Sequence, residues 1–371
     1  QTIIVAVTAA SPERKRYFYD FYSQTGCKIK IYGLPLSEEH LEEGEERGKR
    51  TIRDFKISDI LYRETLEVKT ERALAFYENK RILVTGGGGS IGSELCRQVA
   101  GLNPKKLVIL DIYENNAYEI QQELIRQYGL KNPETGEGLD VEVVIASVRD
   151  SVRIEEIFDE YRPEIVFHAA AHKHVPLMEG SSCEAIKNNV LGTYNVANAA
   201  EKFGVKNFLL VSSDKAVNPT NIMGSTKTLC EMVVQCRQDS NTKFCATRFG
   251  NVLGSNGSVI PLFRKQIEAG GPLTITDKRI IRYFMTIPEA ASLLVEACAM
   301  AGVGHLYVLD MGKPVKILDV AEDMIRLSGF KPYEDIDIVE IGLRPGEKLY
   351  EELLVESQTQ LGKTDNDMIF I

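Results

Sequence analysis

The strongest constraint on the fold is the alternation of short apolar runs with amphipathic stretches from residue 81 onward. The apolar runs have the length and composition of strands, and the stretches between them carry apolar residues at helical spacing. Such alternation predicts an α/β fold built on a doubly wound parallel sheet. The predicted strands are 81–85, 106–111, 141–147, 164–170, 207–213, 243–250 and 305–310, and the clearest helical patterns are 90–100, 154–161, 185–203 and 224–237.

A smaller α/β unit precedes this region, with strands predicted at 3–7 and 28–34 and a helix at 11–23 between them. Residues 37–50 are charged and almost without large apolar groups, which predicts a solvated loop or a short exposed helix. We interpret 52–68 as a connector and 69–77 as a helical lead into the main domain. The pattern therefore predicts a domain boundary near residue 78.

Composition narrows the possible partners and the compartment. The net charge is −9 over 371 residues, which argues against a nucleic-acid-binding surface. Seven cysteines without a CxxC pair indicate reduced thiols in a reducing compartment. No apolar run approaches the length that spans a bilayer, and no secretory signal opens the sequence. Because the chain begins with Gln1 and enters an apolar run at once, we expect a fragment whose missing N-terminal part could hold membrane helices.

The first strand of the main region runs directly into a glycine-rich turn, TGGGGSIG, and then into a helix. Gly86, Gly89 and Gly92 have GxxGxxG spacing, and Ser90 and Ile91 open the helix. Missing side chains at these positions let the backbone turn tightly, so that the helix N-terminus can meet a pyrophosphate. The turn therefore predicts a dinucleotide site of the Rossmann type.

Acidic residues after the next two strands support a dinucleotide. Asp111 ends the second strand, where a carboxylate would accept hydrogen bonds from the adenosine ribose hydroxyls. No Arg or Lys lies between 112 and 117 to hold a 2′-phosphate, so NAD is favoured over NADP. After the third strand, Val148 and Asp150 are predicted beside the adenine, with the carboxylate reading its amino group.

The segment 168–174, HAAAHKH, places three imidazoles within seven residues. A metal site is one interpretation, but no cysteine or carboxylate cluster accompanies these histidines. We therefore expect no metal and predict a loop beside the cofactor. Ala169 and Ala170 would contact the cofactor, and Lys173 would face the nicotinamide or the substrate.

Six motifs together carry a family resemblance: TGGGGSIGSEL, FHAAAHKHVPLME, SSDKAVNPTNIMGSTK, RFGNVLGSNGSVIPLF, RYFMTIPEA and GLRPGEKLYEELL. Over about residues 78–357 the chain resembles the nucleotide-sugar 4,6-dehydratases of the extended short-chain dehydrogenase/reductase superfamily. More narrowly, it is similar to the large membrane-associated polysaccharide-biosynthesis type, which acts on UDP-N-acetylglucosamine. The N-terminal unit resembles the end of the soluble domain that lies between the membrane helices and the catalytic domain of those proteins.

This resemblance implies a domain plan and a location. Residues 1–77 would be a partial N-terminal α/β unit and linker, and 78–371 the catalytic domain. Within the latter, about 78–250 would bind NAD and mainly 251–357 would form a smaller substrate-binding part. The catalytic domain is expected in the cytoplasm, with the full-length protein anchored in the inner or plasma membrane by N-terminal helices.

The superfamily usually places a Tyr four residues before a Lys on one helix, and here Met223 occupies the Tyr position before Lys227. A thioether cannot carry a proton, so the acid and the base must come from elsewhere. The resemblance implies C4 oxidation, loss of water across C5 and C6, and return of the hydride to C6. Lys215 is the candidate base at C5 and Asp214 the candidate acid at the C6 hydroxyl, while Ser213 would contact the C4 oxygen.

Lys227 is expected to hydrogen-bond the nicotinamide ribose. Without a Tyr, the group that takes the C4 proton stays open between Ser213, Asp214 and a water relayed by Lys227. In the C-terminal part, a helix N-terminus near Ser258 would face the diphosphate of a UDP-sugar. The predicted substrate-binding residues are Asn251, Ser258, Val259, Lys265, Arg282, Arg344 and Glu347.

Three functions follow as hypotheses. The first is an NAD-dependent UDP-N-acetylglucosamine 4,6-dehydratase forming a UDP-4-keto-6-deoxy-N-acetylhexosamine, with C5 configuration retained as Met-containing relatives suggest. The second is a UDP-sugar 4-epimerase or reductase on the same fold, which Met223 disfavours. The third is a non-catalytic nucleotide sensor, which the presence of Asp214 and Lys215 disfavours.

The family commonly pairs subunits through two long helices, so a homodimer or higher homo-oligomer is expected through 185–203 and 224–237.

Overall fold

Strands and helices alternate along the chain much as the apolar runs predict. The strands are β1 (Thr2–Val5), β2 (Lys28–Gly33), β3 (Thr51–Asp54), β4 (Arg81–Thr85), β5 (Lys106–Asp111), β6 (Val141–Ile145), β7 (Ile165–His168), β8 (Asn207–Val211), β9 (Lys243–Arg248), β10 (Asn251–Val252), β11 (Leu273–Ile275), β12 (Ile281–Arg282), β13 (Phe284–Met285), β14 (His305–Leu309), β15 (Val315–Lys316), β16 (Ile338–Glu340) and β17 (Ile369–Phe370).

Helices connect most of these strands. The α-helices are α1 (Pro12–Ser23), α2 (Glu71–Tyr77), α3 (Ser90–Ala100), α4 (Glu114–Tyr128), α5 (Ser151–Tyr161), α6 (Val175–Glu179), α7 (Ser182–Ala185), α8 (Gly192–Lys202), α9 (Ile222–Gln235), α10 (Val259–Glu268), α11 (Ile287–Ala299) and α12 (Ile317–Leu327). A π-helix spans Ile186–Leu191 and a 3-10 helix spans Asp214–Ala216.

The structure is a computed structural model. The prediction for residues 37–50 lies outside the described residues. Among the described residues, no helix is long and apolar enough to cross a membrane. The residues described are 2–7, 12–23, 25, 27–33, 51–54, 71–132, 134–354 and 362–371.

Contacts between residues divide the chain into two units, and each unit takes three separate stretches of sequence. The predicted domain boundary near residue 78 and the NAD-binding and substrate-binding division at residue 250 stay predictions. The first unit comprises 1–66, 251–288 and 313–343, and the second comprises 67–250, 289–312 and 344–371.

An eight-stranded sheet organises the second unit, in the order β17-β14-β9-β8-β7-β4-β5-β6. All neighbours pair in parallel except β14 and β17, which are antiparallel. After β4 the chain builds outward through β5 and β6, and it then returns to the other side of β4 to add β7, β8 and β9. This reversal confirms the doubly wound prediction and creates a crevice at the carboxyl ends of β4 and β7, where such sheets bind ligands.

The sheet is buried on both faces because helices cover each of them. Every residue of β8 is buried, and β4 is buried from Ile82 to Thr85. On one side, Ile154 and Phe158 of α5 and Val196 of α8 pack in the same apolar cluster as the sheet side chains. Burial on both faces explains why these strands read as continuous apolar runs rather than as alternating patterns.

The first unit contains a three-stranded sheet in which β1 and β2 are parallel and β2 and β3 are antiparallel. Val5, Tyr19 and Ile31 form its buried cluster, and Leu327 of α12 packs against them. The strand β3 lies in residues that the sequence predicted as connector, so that part of the prediction is wrong. Its four residues pair with β2 and are too short to give a clear alternating pattern.

Candidate functional site

The glycine-rich turn between β4 and α3 makes a tight, side-chain-free cradle. Gly86 has a φ of +68°, which favours glycine. A Cβ placed on Gly92 would lie 2.0 Å from the carbonyl oxygen of Gly86, so no larger residue fits there without moving the backbone. Gly89, Ser90 and Ile91 form the start of α3, and no side chain caps its first N–H groups. The turn therefore leaves an uncapped helix N-terminus that suits an anion.

A cleft opens beside this turn at the carboxyl ends of β4, β5, β6 and β7. Asp111 lies in it, and one carboxylate oxygen accepts a 2.9 Å hydrogen bond from the Gly88 N–H while the other accepts one from Tyr113 N–H. These bonds fix the carboxylate where the sequence predicts the ribose contact. The cleft is lined by Gly86, Gly88, Gly89, Leu110, Asp111, Ile112, Asn116, Ala146, Ser147, Val148, Ala169, Ala170, Ala171, His172 and Asn188.

Not every predicted cofactor residue lines this cleft. Gly86, Gly89, Asp111, Val148, Ala169 and Ala170 do. Asp150 instead caps α5, because its carboxylate accepts a hydrogen bond from the N–H of Arg153 at 3.1 Å. Its assignment to the adenine stays a prediction.

Asn116 and Asn188 line the cleft although they were not predicted from the sequence. Asn116 donates to the Gly88 carbonyl at 3.1 Å, which ties α4 to the glycine turn. Its position five residues after Asp111, at the start of the helix that follows β5, was the available signal. Asn188 gave no such signal, because it lies within an apparently regular helical pattern.

The stretch predicted as helical over 185–203 is helical as far as Lys202, but it is not a regular α-helix throughout. The chain forms α7, the π-helix and α8 in succession. The π-helix presents Asn189, whose side chain accepts from the His172 N–H at 2.8 Å and donates to the His172 carbonyl at 3.0 Å. It also donates to the Thr226 hydroxyl at 2.9 Å. Asn189 therefore fixes the loop after β7 and joins it to α9, a use typical of π-turns near functional sites.

A buried polar chain runs beneath this loop. The two imidazole nitrogens of His168 lie 2.7 Å from the Thr85 hydroxyl and 2.9 Å from the Thr193 hydroxyl. Thr193 donates to the Cys230 sulfur at 3.3 Å, and Cys230 donates to the Asn189 carbonyl at 3.1 Å. Because the Thr193 proton is already used, Nε2 of His168 must donate and Nδ1 must accept from Thr85. Both nitrogens of this imidazole are thus occupied within the core.

Burial, together with the positive charge of Lys227, lowers the pKa of His168 to about 3. The imidazole is therefore neutral near pH 7, as the hydrogen-bond chain requires. Burial likewise raises the pKa of the Cys230 thiol, which keeps its proton available for donation. The hydrogen bonds are therefore all donated in one direction, from Thr85 before the glycine turn to the Asn189 carbonyl in the π-helix.

The 3-10 helix after β8 brings together the predicted acid and base. Asp214 is fully buried, and its Oδ1 accepts hydrogen bonds from the Ser213 hydroxyl at 2.8 Å and from the Lys215 ammonium at 2.9 Å. Its backbone N–H donates to the Phe249 carbonyl, which fixes the loop against the end of β9. The other carboxylate oxygen, Oδ2, is buried and has no hydrogen-bond partner among the described residues. An orphaned buried oxygen of this kind is expected where a ligand completes the site.

Met223 lies at the start of α9 in apolar surroundings. Its side chain is only 2% exposed and packs with Val175, Met178 and Ala185. The helix begins at Ile222, after Asn221 caps it by accepting from the Gly224 N–H at 2.7 Å. The position that would carry a phenol in related active sites thus holds part of an apolar cluster.

Lys227 lies one turn further along α9 and is buried. Its ammonium donates to the Val211 carbonyl at 2.7 Å, at the end of β8. Burial lowers the pKa of Lys227, while Cys230 and Glu231 act in the opposite direction. Glu231 in turn accepts from the Ser212 hydroxyl at 2.6 Å and pairs with the Arg248 guanidinium at 2.7 Å. This buried ion pair holds α9 against the ends of β8 and β9 and was not predicted from the sequence.

Lys173 follows the loop that Asn189 fixes. Although much of the residue is exposed, desolvation of the amine lowers the pKa of Lys173, and the positive Lys215 lowers it further. The strands β7 and β8 are parallel neighbours, so their following loops leave the same edge of the sheet. The structure therefore places Lys173 within electrostatic range of Lys215.

Glu351 also approaches Lys215. Its Oε1 lies 3.9 Å from the Lys215 ammonium, and its side chain is 5% exposed. This residue lies in the motif GLRPGEKLYEELL, and the sequence alone predicts no role for it. Earlier in the same motif, Arg344 and Glu347 form the expected tight turn, in which Arg344 Nε and N–H each donate to Glu347 at 3.0 Å.

The other predicted substrate residues belong to the first unit. Ser258 precedes α10 as its cap residue, yet its hydroxyl makes no capping bond and is buried without a partner among the described residues. Val259 opens that helix and Lys265 lies in its last turn. Asn251 begins β10, and Arg282 lies in β12 and donates to the Ile281 carbonyl at 2.8 Å. Ser258 and Val259 thus form an uncapped helix N-terminus, the feature predicted for a diphosphate.

Comparison with known proteins identifies the family of this chain. Residues 82–371 match the family model described as polysaccharide biosynthesis protein. The chain is 48% identical to the capsular polysaccharide biosynthesis protein CapD of Staphylococcus aureus over 96% of its own length and 58% of that protein, so it spans little more than half of that relative. It is also 35% identical to a UDP-glucose 4-epimerase of Rickettsia rickettsii, covering 78% of this chain and 81% of the relative.

Among solved structures, the X-ray structure of Pen from Bacillus thuringiensis superposes with a TM-score of 0.71 at 34% identity, covering 80% of this chain and 86% of that one. These matches confirm the resemblance at the level of family and fold. The chain therefore belongs to the polysaccharide biosynthesis protein family and has the extended short-chain dehydrogenase/reductase fold.

Proposed function

We propose that this chain is an NAD-dependent UDP-N-acetylglucosamine 4,6-dehydratase that forms a UDP-4-keto-6-deoxy-N-acetylhexosamine with retained C5 configuration. The observation that carries the proposal is the buried Asp214 and Lys215 pair, which has one orphaned carboxylate oxygen and lies on the loop that follows β8. Elimination of water needs an acid and a base close together, and this pair offers both.

The residues present fit a nicotinamide dinucleotide. The side-chain-free cradle at Gly86 and Gly92 admits a pyrophosphate at the uncapped N-terminus of α3. The fixed carboxylate of Asp111 would accept from ribose hydroxyls, and it would repel a 2′-phosphate, which favours NAD over NADP. When bound, the nicotinamide supplies a reversible hydride acceptor for the sugar C4.

The roles of the chain's own groups then follow. Lys215 takes the C5 proton, and Asp214 donates a proton to the departing C6 hydroxyl, so that water leaves across C5 and C6. Ser213 lies 2.8 Å from Asp214 and would contact the C4 oxygen. Lys227 would bind the nicotinamide ribose from its buried position on α9. Once the C5 proton has moved, Lys215 and Asp214 form the ion pair that the structure contains.

A helix N-terminus at Ser258 and Val259 offers N–H donors for the UDP diphosphate, and the orphaned Ser258 hydroxyl supports a ligand there. Arg344 and Glu347 stay predicted contacts of the nucleotide. Asn251, Lys265 and Arg282 stay predicted contacts, as do the cytoplasmic location and the membrane anchoring of the longer protein.

A homodimer would use the exposed apolar face of α9 and the helices before it. Leu229 and Met232 are 44% and 55% exposed, and Leu191 and Tyr194 are each 49% exposed. These side chains lie on the two helical stretches that the sequence predicts as the subunit contact. Burial of such a patch against a second copy would remove apolar area from water.

A UDP-sugar 4-epimerase is the second candidate, because a 35% identical relative carries that name. Against it stands Met223, which lies in an apolar cluster at the position where epimerases of this fold generally carry a Tyr. The adjacent Asp214 and Lys215 instead suit the elimination that only the dehydratase performs.

Incubation of the protein with NAD+ and UDP-N-acetylglucosamine, followed by NMR of the product, separates the two functions. We expect a 4-keto-6-deoxy sugar without net reduction of NAD+, and C5 retention read from coupling constants after chemical reduction of the ketone. The matched control is Lys215→Met, which should form no such product. Appearance of UDP-N-acetylgalactosamine alone would refute the dehydratase and support the epimerase.

A further inference from the structure

The segment from Arg344 to Leu354, here called the strap, is held against the loop that carries Asp214 and Lys215. The Lys348 ammonium donates to the Val217 carbonyl at 3.1 Å and to the Asn218 carbonyl at 2.6 Å. Further along, the Asn221 side chain donates to the Gly346 carbonyl at 3.0 Å. Three hydrogen bonds therefore fix the strap to the residues that directly follow the acid and base.

Close approach of the strap depends on Gly346. Its φ is +77°, and a Cβ there would lie 2.7 Å from the Cβ of Asn221 and 3.0 Å from Val175. A larger residue would push the strap away from the cap of α9. The sequence motif thus places a glycine where the strap must pass close to the catalytic loop.

The strap brings Glu351 close to the Lys215 ammonium, which also contacts Asp214. The ammonium lies 2.9 Å from Asp214 Oδ1 and 3.9 Å from Glu351 Oε1. The side chains of Asp214, Glu351 and Lys215 are 0%, 5% and 17% exposed, so water screens this group weakly. Lys173, on the loop after β7, lies within electrostatic range of the same ammonium.

Glu351 can compensate the positive charge of Lys215 at a stage of the reaction when Asp214 cannot. Before the reaction the Lys215 amine and the Asp214 carboxyl are both neutral. Once Lys215 has taken the C5 proton, and until Asp214 has donated its own, Lys215 is a cation that the neutral Asp214 does not compensate. A buried ammonium without a counter-charge is strongly destabilising. A second carboxylate at 3.9 Å compensates the charge on Lys215 in every protonation state of Asp214.

We propose that Glu351 is a positioning residue that orients Lys215 and compensates its charge during elimination. The inference rests on the proposed function. In the step, the C5–H electron pair forms the C5–C6 double bond and the proton passes to the Lys215 amine. The C6–O bond breaks, and the oxygen leaves as water with the proton of Asp214. Glu351 keeps its negative charge throughout and exchanges no proton.

The variant Glu351→Gln tests this, because it keeps the shape and removes the charge. We expect kcat for the 4-keto-6-deoxy product to fall by about 10- to 100-fold with little change in KM, as for residues that orient a reacting group. Loss of a negative charge favours release of protons from both Lys215 and Asp214, so the whole pH–rate profile should move to lower pH. Glu351→Asp should restore much of the rate and the original profile.

Glu352→Gln is the matched control. Glu352 lies next to Glu351 on the strap, its side chain is 47% exposed, and it contacts Lys348 and Asn218 rather than Lys215. Parent-like kinetics are expected for this control. If Glu351→Gln also keeps the parent rate and profile, or if both variants lose activity equally with unmoved profiles, Glu351 has only a structural role and the proposal is wrong.

A readout without nucleotide separates failure of this inference from failure of the proposed function. Competitive acetylation followed by mass spectrometry measures the reactivity of the Lys215 amine in the protein alone. Lys215 in Glu351→Gln should react faster at a fixed pH near 8 than in the parent or in Glu352→Gln, while exposed Lys331 should not change. Equal reactivity in all three proteins would overturn the coupling, whatever product the parent enzyme forms.

Discussion

Acidification should lower the free energy of unfolding, and the contribution of His168 to this loss can be calculated from its pKa. The imidazole is 1% exposed, and its pKa is lowered from 6.5 to about 3 by burial and by Lys227. Because the unfolded chain binds the proton at the ordinary pKa, it gains protons before the folded protein does. The stabilisation is therefore complete above about pH 6.5 and is lost as the pH falls toward 3.

The magnitude at pH 5 depends mainly on the unfolded chain. With an unfolded pKa of 6.5 and a folded pKa well below 5, linkage gives a loss of about 2 kcal/mol at pH 5 and about 0.2 kcal/mol at pH 7. The result changes little if the folded pKa is 2 or 4 rather than 3. A neutral His168 is also the only form that can accept from Thr85 while donating to Thr193.

The assay compares urea unfolding of the parent and His168→Gln at pH 7 and pH 5, followed by circular dichroism. Glutamine can accept from Thr85 and donate to Thr193, but it does not titrate. The parent should lose about 2 kcal/mol more than the variant between the two pH values. Parallel losses in both proteins would refute a buried neutral His168, since every other titrating group is shared.

Three further predictions concern the site and the assembly. Asp214→Asn should slow product formation by about 10²- to 10⁴-fold while nucleotide affinity measured by calorimetry stays nearly constant; undiminished turnover would remove Asp214 from the chemistry. Gly92→Ala should abolish NAD binding in the same calorimeter, because its Cβ would lie 2.0 Å from the Gly86 carbonyl, and a parent-like affinity would contradict the cradle. The double variant Leu229→Glu with Met232→Glu should sediment as a monomer where the parent sediments as a dimer or larger; an unchanged sedimentation coefficient would count against this helix face.

The sheet and the glycine-rich turn were predictable because local sequence determines them. Apolar runs buried on both faces leave a clear signal, and the turn at Gly86 and Gly92 needs glycine for steric reasons that no partner can change. The adjacent Asp214 and Lys215 were predictable as a pair for a similar reason. Neighbouring residues on one loop meet without help from the rest of the fold.

Contacts between distant parts of the sequence were not predictable in this way. Glu351 lies 136 positions after Lys215, and only the strap brings the two together. The hydrogen bonds that Asn189 makes to His172 and Thr226 depend on the π-helix 186–191. In the sequence, the apolar residues of this segment have ordinary helical spacing. The buried pair of Glu231 and Arg248 reads in the sequence as two ordinary charged residues. Periodicity reports which face is buried, but it does not report which polar groups meet there.

The discontinuous make-up of the two units has a consequence for biosynthesis. The first unit needs residues from 1–66, 251–288 and 313–343, and the second needs 67–250, 289–312 and 344–371. A ribosome that has delivered the chain as far as residue 250 has therefore completed neither unit, although the strands β4 to β9 can already pair. Chaperones that hold nascent chains would meet an incomplete sheet, because β14 and β17 are synthesised after its other six strands. Premature termination anywhere before β17 would leave the edge of β14 open to pairing with another chain.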